Sequence, residues 1–490
     1  MEMDRSMISK DWDQKSLQYL KMAFSVNDAG PLYSPIENFK FARMDDLSLE
    51  LTTTSHMSSS RDMVRFPEPK AGTVTTLDTR VNFSSSFSQS PAIAHGVHTL
   101  GIHEHANTPT RNRIREERCS VQKIECLPTS VDKIVKVAEW IDNFDLSFFH
   151  WPDTVEVDCS QKTKFYGNNK KLLFDALEGS KASRSGLELK VGGRELYIVP
   201  GTEKSFGGPN GQATILYEGY PDSDFRDKVR NCISLAIGVP IVSLGCVLLG
   251  EESEHLGFQL FSPYTIDQSI YKIYAFPPAP IASGNSKIVE NEIISRIVNS
   301  YFDNYEKFNL RHVCWLYWHA ACSASHAQAV QLGAAIESLI TTYRSVNPMA
   351  YPTGIVEKPL AKKICKALRD ALVEIDMDAE QKAQIEKKIS NINQASLRVI
   401  NERFFEHLGL ALGDKETAAW QRRNDSAHGN PSEKGDTVNL IRDISLLENL
   451  FHRVLLKVTN ASSVYIDRYT EEHPIRILTE SVDASIRQKF

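Results

Sequence analysis

The chain has 490 residues, of which 41% are apolar and 24% charged. That is enough apolar material to bury more than one core, and it excludes a chain that is disordered throughout. Lys and Arg number 56 against 62 Asp and Glu, a net charge of −6. This excludes a protein that holds polyanions by bulk positive charge, so any nucleic-acid binding has to come from a local site.

The opening, MEMDRSMISKDWDQK, is charged and has no apolar centre, which predicts no secretory leader and a cytoplasmic location with reduced thiols. Strand texture follows. LSLELTTTS (47–55), TVEVDC (154–159) and ATILYEGY (213–220) alternate apolar and polar residues. In LELKVGGRELYIVP (187–200), Gly192-Gly193 between two alternating runs predicts a hairpin. DFRDKVRNCISLAIG (224–238) reads as a helix with Asp222 or Ser223 as its cap, and VPIVSLGCVLLG and LGFQLFSPY read as buried strands. The uncharged run Asn231 to Gly250 approaches membrane-spanning length. Its Gly238, Pro240 and Gly245 favour a helix, a turn and a buried strand instead, and no membrane contact is expected. The Ser- and Thr-rich stretches 52–60 and 84–90 read as loops. The Pro, Gly and Ser cluster in AFPPAPIASGNSK (275–287) marks a boundary between domains 1–285 and 286–490.

Beyond that boundary the apolar spacing changes to three and four. Ile293, Ile297 and Tyr301 form one stripe. Leu332, Ile336, Leu339 and Tyr343 form a second, broken afterwards by Asn347-Pro348 and Tyr351-Pro352. Leu397, Ile400, Phe404, Leu408 and Leu412 form a third, which Gly413 is expected to end. Leu440 to Val458 carries a fourth. The predicted fold class is therefore α+β: a mixed, strand-rich N-terminal domain followed by an all-α helical bundle.

The segment with chemical content is AAWQRRNDSAHGNPSEKGD (418–436), where Arg422, Arg423, Asn424 and His428 gather before a turn. On a helix Arg423 and His428 are about 140° apart, while Asn424 and His428 share a face. A guanidinium binds phosphate through a fork of donors, an imidazole moves a proton near neutrality, and Asn can fix the ring or a phosphate oxygen. RNA supplies its own nucleophile in the ribose 2′-hydroxyl. Such a site needs no metal and no cofactor, and no carboxylate cluster nearby asks for one.

Arg423-Asn424-Asp425-Ser426-Ala427-His428-Gly429 resembles the RNxxxHG form of the R-x4-6-H motif of HEPN domains. The helix with Gly333-Ala334-Ala335-Ile336-Glu337-Ser338-Leu339-Ile340 resembles the first long helix of that family, and ISLLENLFHRVLLKV (444–458) its last. VRNCISLAIGVPIVSLG (229–245) is similar to a segment of the N-terminal domain of the ApeA-like branch. The resemblance implies a metal-independent endoribonuclease that cuts RNA, tRNA included, and leaves a 2′,3′-cyclic phosphate. It also implies a homodimer formed through the HEPN domain, and a role in antiphage abortive infection with a phage-derived trigger. Carried over by position, Arg423 steadies the phosphate, His428 is general acid or base, and Asn424 is the polar residue beside the arginine. Arg422, Glu337 and His319 are supporting candidates, with Glu337 orienting Arg423 through an ion pair. The alternative is a catalytically silent HEPN module acting as a binding or scaffold protein.

Other clusters are weaker. His312, His319 and His326 recur every seven residues on what reads as one helix, about 10.5 Å apart and too far to share a metal. His95, His98, His103 and His105 would make a metal-dependent reading only with a ligand from elsewhere. RNRIREER (111–118) reads as a solvated loop or helix face. No Walker A loop, Rossmann glycine pattern or GxSxG elbow is present.

Overall fold

The computed structural model describes residues 12–60, 79–86, 90–106, 113–144, 153–158, 162–167, 170–175, 183–200, 212–263, 279–280, 291–427 and 437–484. The chain divides into two compact units, Met1–Asp303 and Asn304–Phe490. Most of the segment 275–287, expected to part the domains, lies outside the described residues.

The first unit begins with helix α1 (Trp12–Ala23). Strands β1 (Ser25–Asp28), β2 (Ser34–Arg43), β3 (Leu49–Ser60), β4 (Arg80–Ser84), β5 (Ala92–His95), β6 (His98–Ala106), β7 (Arg113–Val121), β8 (Lys123–Cys126) and β9 (Lys136–Asp142) follow. Then come β10 (Asp153–Asp158), β11 (Lys162–Gly167), β12 (Lys170–Asp175), β13 (Ser183–Val191), β14 (Arg194–Pro200) and β15 (Gln212–Glu218). Helix α2 (Ser223–Ile237), β16 (Val242–Leu249), β17 (His255–Phe261) and helix α3 (Asn291–Asn304) complete it. Most strands join one antiparallel sheet in the order β1-β4-β5-β8-β17-β16-β9-β15-β14-β13-β10-β11-β12. A second sheet has the order β2-β3-β7-β6.

The local signals act where expected. Val191 pairs with Arg194 across Gly192 and Gly193, both with positive φ, as a two-residue hairpin turn requires. Asp222 caps α2 by accepting from the Phe225 amide at 2.7 Å, and Gly238 ends that helix in the left-handed conformation. Every residue of β16 is buried, between β9 and β17. The uncharged run is thus a helix end, a turn and a central strand. Among the described residues no helix is long and apolar enough to cross a membrane.

Two expectations fail in this unit. Residues 52–60 are not a loop, because β3 continues to Ser60, paired with both β2 and β7. Its inward positions are Leu51, Thr53 and Ser55, all buried. Small hydroxyl side chains fill that face, and β-branched Thr suits a pleated surface. RNRIREER is neither loop nor helix, since from Arg113 it is β7, between β3 and β6. Its charges are matched across strands: Arg118 forks onto Glu50 at 3.0 and 2.7 Å, and Arg115 pairs with Glu104 at 3.2 Å while lying over the Tyr33 ring. The core between the sheets gathers Phe39 and Phe41 of β2, Phe83 of β4 and Leu20 of α1, with the Phe39 and Phe83 rings 4.9 Å apart.

The second unit comprises α4 (Leu310–Cys322), α5 (Ser325–Val346), α6 (Lys358–Val373), α7 (Ala379–Ser390), α8 (Leu397–Leu408), α9 (Asp414–Ala427) and α10 (Thr437–Thr459). After these comes a short hairpin, β18 (Val464–Ile466) with β19 (Ile475–Ile477), that the helical spacing did not announce. Helix α5 packs against α4, α9 and α10, and α9 packs against α10. Gly413 does not end the third stripe. The left-handed Gly409 closes α8, and Gly413 instead starts α9, where its amide donates to Glu416 three residues on at 2.9 Å. His312, His319 and His326 do not share a helix, because the chain breaks at Ser323-Ala324 and His326 opens α5.

Candidate functional site

Helix α9 is strongly polar, yet it buries one stripe: Glu416, Ala419, Trp420 and Arg423. The steps of three, one and three put these residues on a single face, and Arg423 occupies an inward position of that face. It is 7% exposed. Its guanidinium lies over the Trp420 ring, 3.3 Å from the centroid, and Nε donates to the Trp420 carbonyl at 3.1 Å. Nη2 donates to Glu337 Oε1 at 2.5 Å. Glu337 comes from α5, one turn after Gly333, and Gly333 is what admits the arginine. A Cβ at that glycine would stand 2.6 Å from Arg423 Nη1.

Burial pulls the proton affinity of Arg423 down, and the carboxylate of Glu337 pulls it back up. Since guanidinium ionisation starts so high, the group remains a cation at any relevant pH. The result is a desolvated, oriented positive charge with its plane fixed by an indole and one of its arms by a carboxylate. Among the described residues Nη1 donates to none.

The other sequence candidates fall as follows. Asn424 is on α9; its side chain, like the whole of His428, lies outside the described residues. Arg422 is half exposed and forks onto Asp443 of α10, with Nε to Oδ2 at 2.7 Å and a second short bond from Nη2 to Oδ1. It ties α9 to α10. His319 is on α4, where Nδ1 meets the Trp315 carbonyl at 2.7 Å and the ring lies tilted against Trp315, 3.8 Å between centroids. No described hydrogen bond joins it to Arg423 or Glu337. Trp420, Gly333 and Asp443 were not singled out in the sequence. Trp420 precedes Arg423 by three residues, a spacing that places them together on a helix, whereas nothing local marks Gly333 or Asp443.

A second group of titratable side chains lies inside this unit. Tyr317 of α4 meets His452 Nε2 of α10 at 2.9 Å, and Glu448 stands one turn before His452, with Gln328 at 3.4 Å. Burial pushes the Glu448 carboxyl up to about 7, against the opposing pull of Arg468, and burial brings His452 down to about 3. The signs are opposite in effect. Between the ordinary carboxyl value of 4.5 and about 7 the folded chain holds a proton on Glu448 that the unfolded chain has lost, so this group lowers stability as pH rises. Between 6.5 and about 3 the unfolded chain protonates His452 and the folded one does not, so that group lowers stability as pH falls. Glu448→Gln resembles the protonated form. It is expected to match the wild type below pH 4.5 and to exceed it by about 1–3 kcal/mol at pH 8, measured by urea unfolding at the two pH values. Equal stabilities at pH 8 would show that the carboxylate is already well solvated.

In the first unit His95 pairs with Glu125 at 2.9 Å, and His103 and His105 stack on one face of β6, 6.4 Å apart. Among the described residues no three His, Cys, Asp or Glu side chains gather as a metal site would require.

Compared with known proteins, the chain matches no family model, no curated protein and no solved structure.

Proposed function

We propose that this chain is a metal-independent endoribonuclease of the HEPN kind, acting on RNA, tRNA included, as an effector of antiphage abortive infection. The observation that carries this reading is Arg423. It is a cation buried on the inward stripe of α9, oriented by Trp420 and Glu337 and admitted by Gly333, and it stands at the head of the string that ends in His428. Glu337 offsets the cost of burying this cation and fixes it, and a fixed guanidinium is suited to charge that develops on a phosphate.

In the proposed reaction the ribose 2′-oxygen attacks the adjacent phosphorus and loses its proton to a base. The bond from phosphorus to the 5′-oxygen breaks, and an acid protonates that oxygen as it leaves. The products are a 2′,3′-cyclic phosphate and a 5′-hydroxyl. Arg423 stabilises the negative charge on the non-bridging oxygens, and His428 moves one of the two protons. A homodimer would bring a second His428 for the other.

Purified protein with total RNA, followed by sequencing of the cut ends, tests this. Wild type is expected to give cyclic-phosphate ends in the presence of EDTA, and His428→Ala to give none. Cutting by His428→Ala at the wild-type rate, or loss of cutting with EDTA, would remove the proposal. The pairing of Arg423 with Glu337 favours a second reading, a silent binding module whose arginine only holds α5 to α9. That reading expects RNA to be bound and left intact.

A further inference from the structure

At the C-terminal end of α5 the chain turns through residues 347–357 into α6. Together with residues 393–394 and Ile400 of α8, that turn lines a groove of about 780 Å³. The volume falls within the range of small-molecule sites and is far more than a lone inorganic anion needs. Its walls are braced. Asn393 exchanges two hydrogen bonds with the Val356 backbone, at 2.8 and 3.1 Å, and Arg403 donates to the carbonyls of Pro352 and Gly354 at 2.7 and 2.8 Å. The cavity is therefore formed before any ligand arrives.

Its charged side chains are two cations and one carboxylate. Arg344 and Lys358 both line it, and among the described residues neither is bridged to a carboxylate. The one acidic lining residue is Glu357, the N-cap position of α6. Its side chain makes no capping hydrogen bond, so the positive end of the α6 dipole opens beside the groove. Tyr351 is 7% exposed, its ring packed on Phe404 and His407, and its buried hydroxyl has no hydrogen-bond partner among the described residues. Burial raises the ionisation of that phenol, so it is a proton donor at neutral pH. That hydroxyl is closed to water and belongs to the wall of the groove, so the charged donors that a ligand in the groove can meet are Arg344 and Lys358. The rim is apolar: Pro348 and Met349 line it, and Met349 is 96% exposed.

We infer that this groove binds a nucleoside phosphate, with its phosphate on Arg344 and Lys358 and its base against Met349 and Pro348. Two sources share that chemistry. One is an RNA strand: Arg344 lies seven residues beyond Glu337 on α5, about 10.5 Å along the axis, so a strand held at Arg423 would reach the groove within a few nucleotides. The other is a free nucleotide that acts as a ligand of the unit. The strand alternative rests on the proposed RNA cleavage, and the free-nucleotide alternative does not.

The test uses the full chain, fluorescence anisotropy and two probes, mant-ADP and a fluorescein-labelled ten-nucleotide RNA, with Arg423→Ala as the background so that no RNA is cut. In that background Arg344→Gln with Lys358→Gln is expected to weaken binding at least tenfold. If the strand is the source, the RNA probe responds and its salt dependence becomes shallower. If the free nucleotide is, mant-ADP alone responds. The inference is overturned if neither probe binds the parent chain, or if the double variant, with its unfolding midpoint at the parent value, binds both probes as the parent does. Wild-type protein that fails to cut RNA would refute the cleavage reading and leave the mant-ADP result standing.

Discussion

Arg423→Ala is expected to lower RNA cleavage by about 10³-fold or more, the scale on which fixed cations and donors act on developing charge. Arg423→Lys is expected to recover little of it, with a loss of about 10²-fold remaining. Lysine keeps the charge, but it has no plane to lie on Trp420 and no fork to serve Glu337 and a phosphate together. Gly333→Ala separates geometry from stability. Alanine gains about 1 kcal/mol of helix propensity in the middle of α5, yet its Cβ meets the guanidinium at 2.6 Å. Overpacking against the fixed side chain opposes that gain at a cost of about 1–3 kcal/mol, so the variant is expected to unfold within about 2 kcal/mol of wild type and still to cut at least tenfold more slowly. Removing Arg423 should cost about 1–3 kcal/mol through lost packing on Trp420, while Glu337, whose side chain is 35% exposed, is solvated by water once unpaired. Initial cleavage rates on one RNA, read beside urea unfolding curves, check the series. Full activity in Arg423→Ala would remove the arginine from the chemistry.

The largest effect on stability is expected at the other end of the same stripe. Arg453 of α10 and Glu416 of α9 form an ion pair at 2.5 Å in which both side chains are 0% exposed. Arg453 also donates to the carbonyls of Leu478 and Ala411, at 3.1 and 2.8 Å. One guanidinium thus pins the start of α9, the middle of α10 and the segment after β19. Burial raises the Glu416 carboxyl, and Arg453 is the main influence holding it down. Arg453→Met leaves that carboxylate and two carbonyls without their donor, a loss of about 3–5 kcal/mol. The double variant Arg453→Met with Glu416→Leu is expected to recover much of this, since replacing both partners of a buried pair by apolar groups is often close to neutral. Far-UV circular dichroism in urea reads the difference. A single variant that unfolds with the wild type would show that the pair is not buried in solution. Because Arg423 lies seven residues beyond Glu416 on α9, cleavage by Arg453→Met should fall as well.

Much of this molecule is written in local pattern. The α+β division follows from period-two runs in the first half and three-four stripes in the second. The Gly192-Gly193 hairpin, the Asp222 cap and the stop of α5 before Pro348 each depend on a few neighbouring residues and elementary backbone constraints. The candidate string from Arg423 to His428 is also read from neighbouring residues, with His428 outside the described residues. What local pattern could not supply are partners from distant sequence. RNRIREER becomes a strand because Thr52 and Gly101 lie beside Arg118 in the ladders, and Glu50 and Glu104 neutralise what looked like a solvated face. Arg422 and Arg423 are adjacent and chemically identical, and only packing tells them apart. A step of about 100° around the helix leaves Arg422 half-exposed beside the buried Asp443 and turns Arg423 inward, to a carboxylate 86 residues earlier and a glycine that leaves it room. Sequence named the candidate side chains; tertiary structure decided which of the two arginines faces inward, because the desolvation and pairing that set a buried charge exist only once the helices have packed.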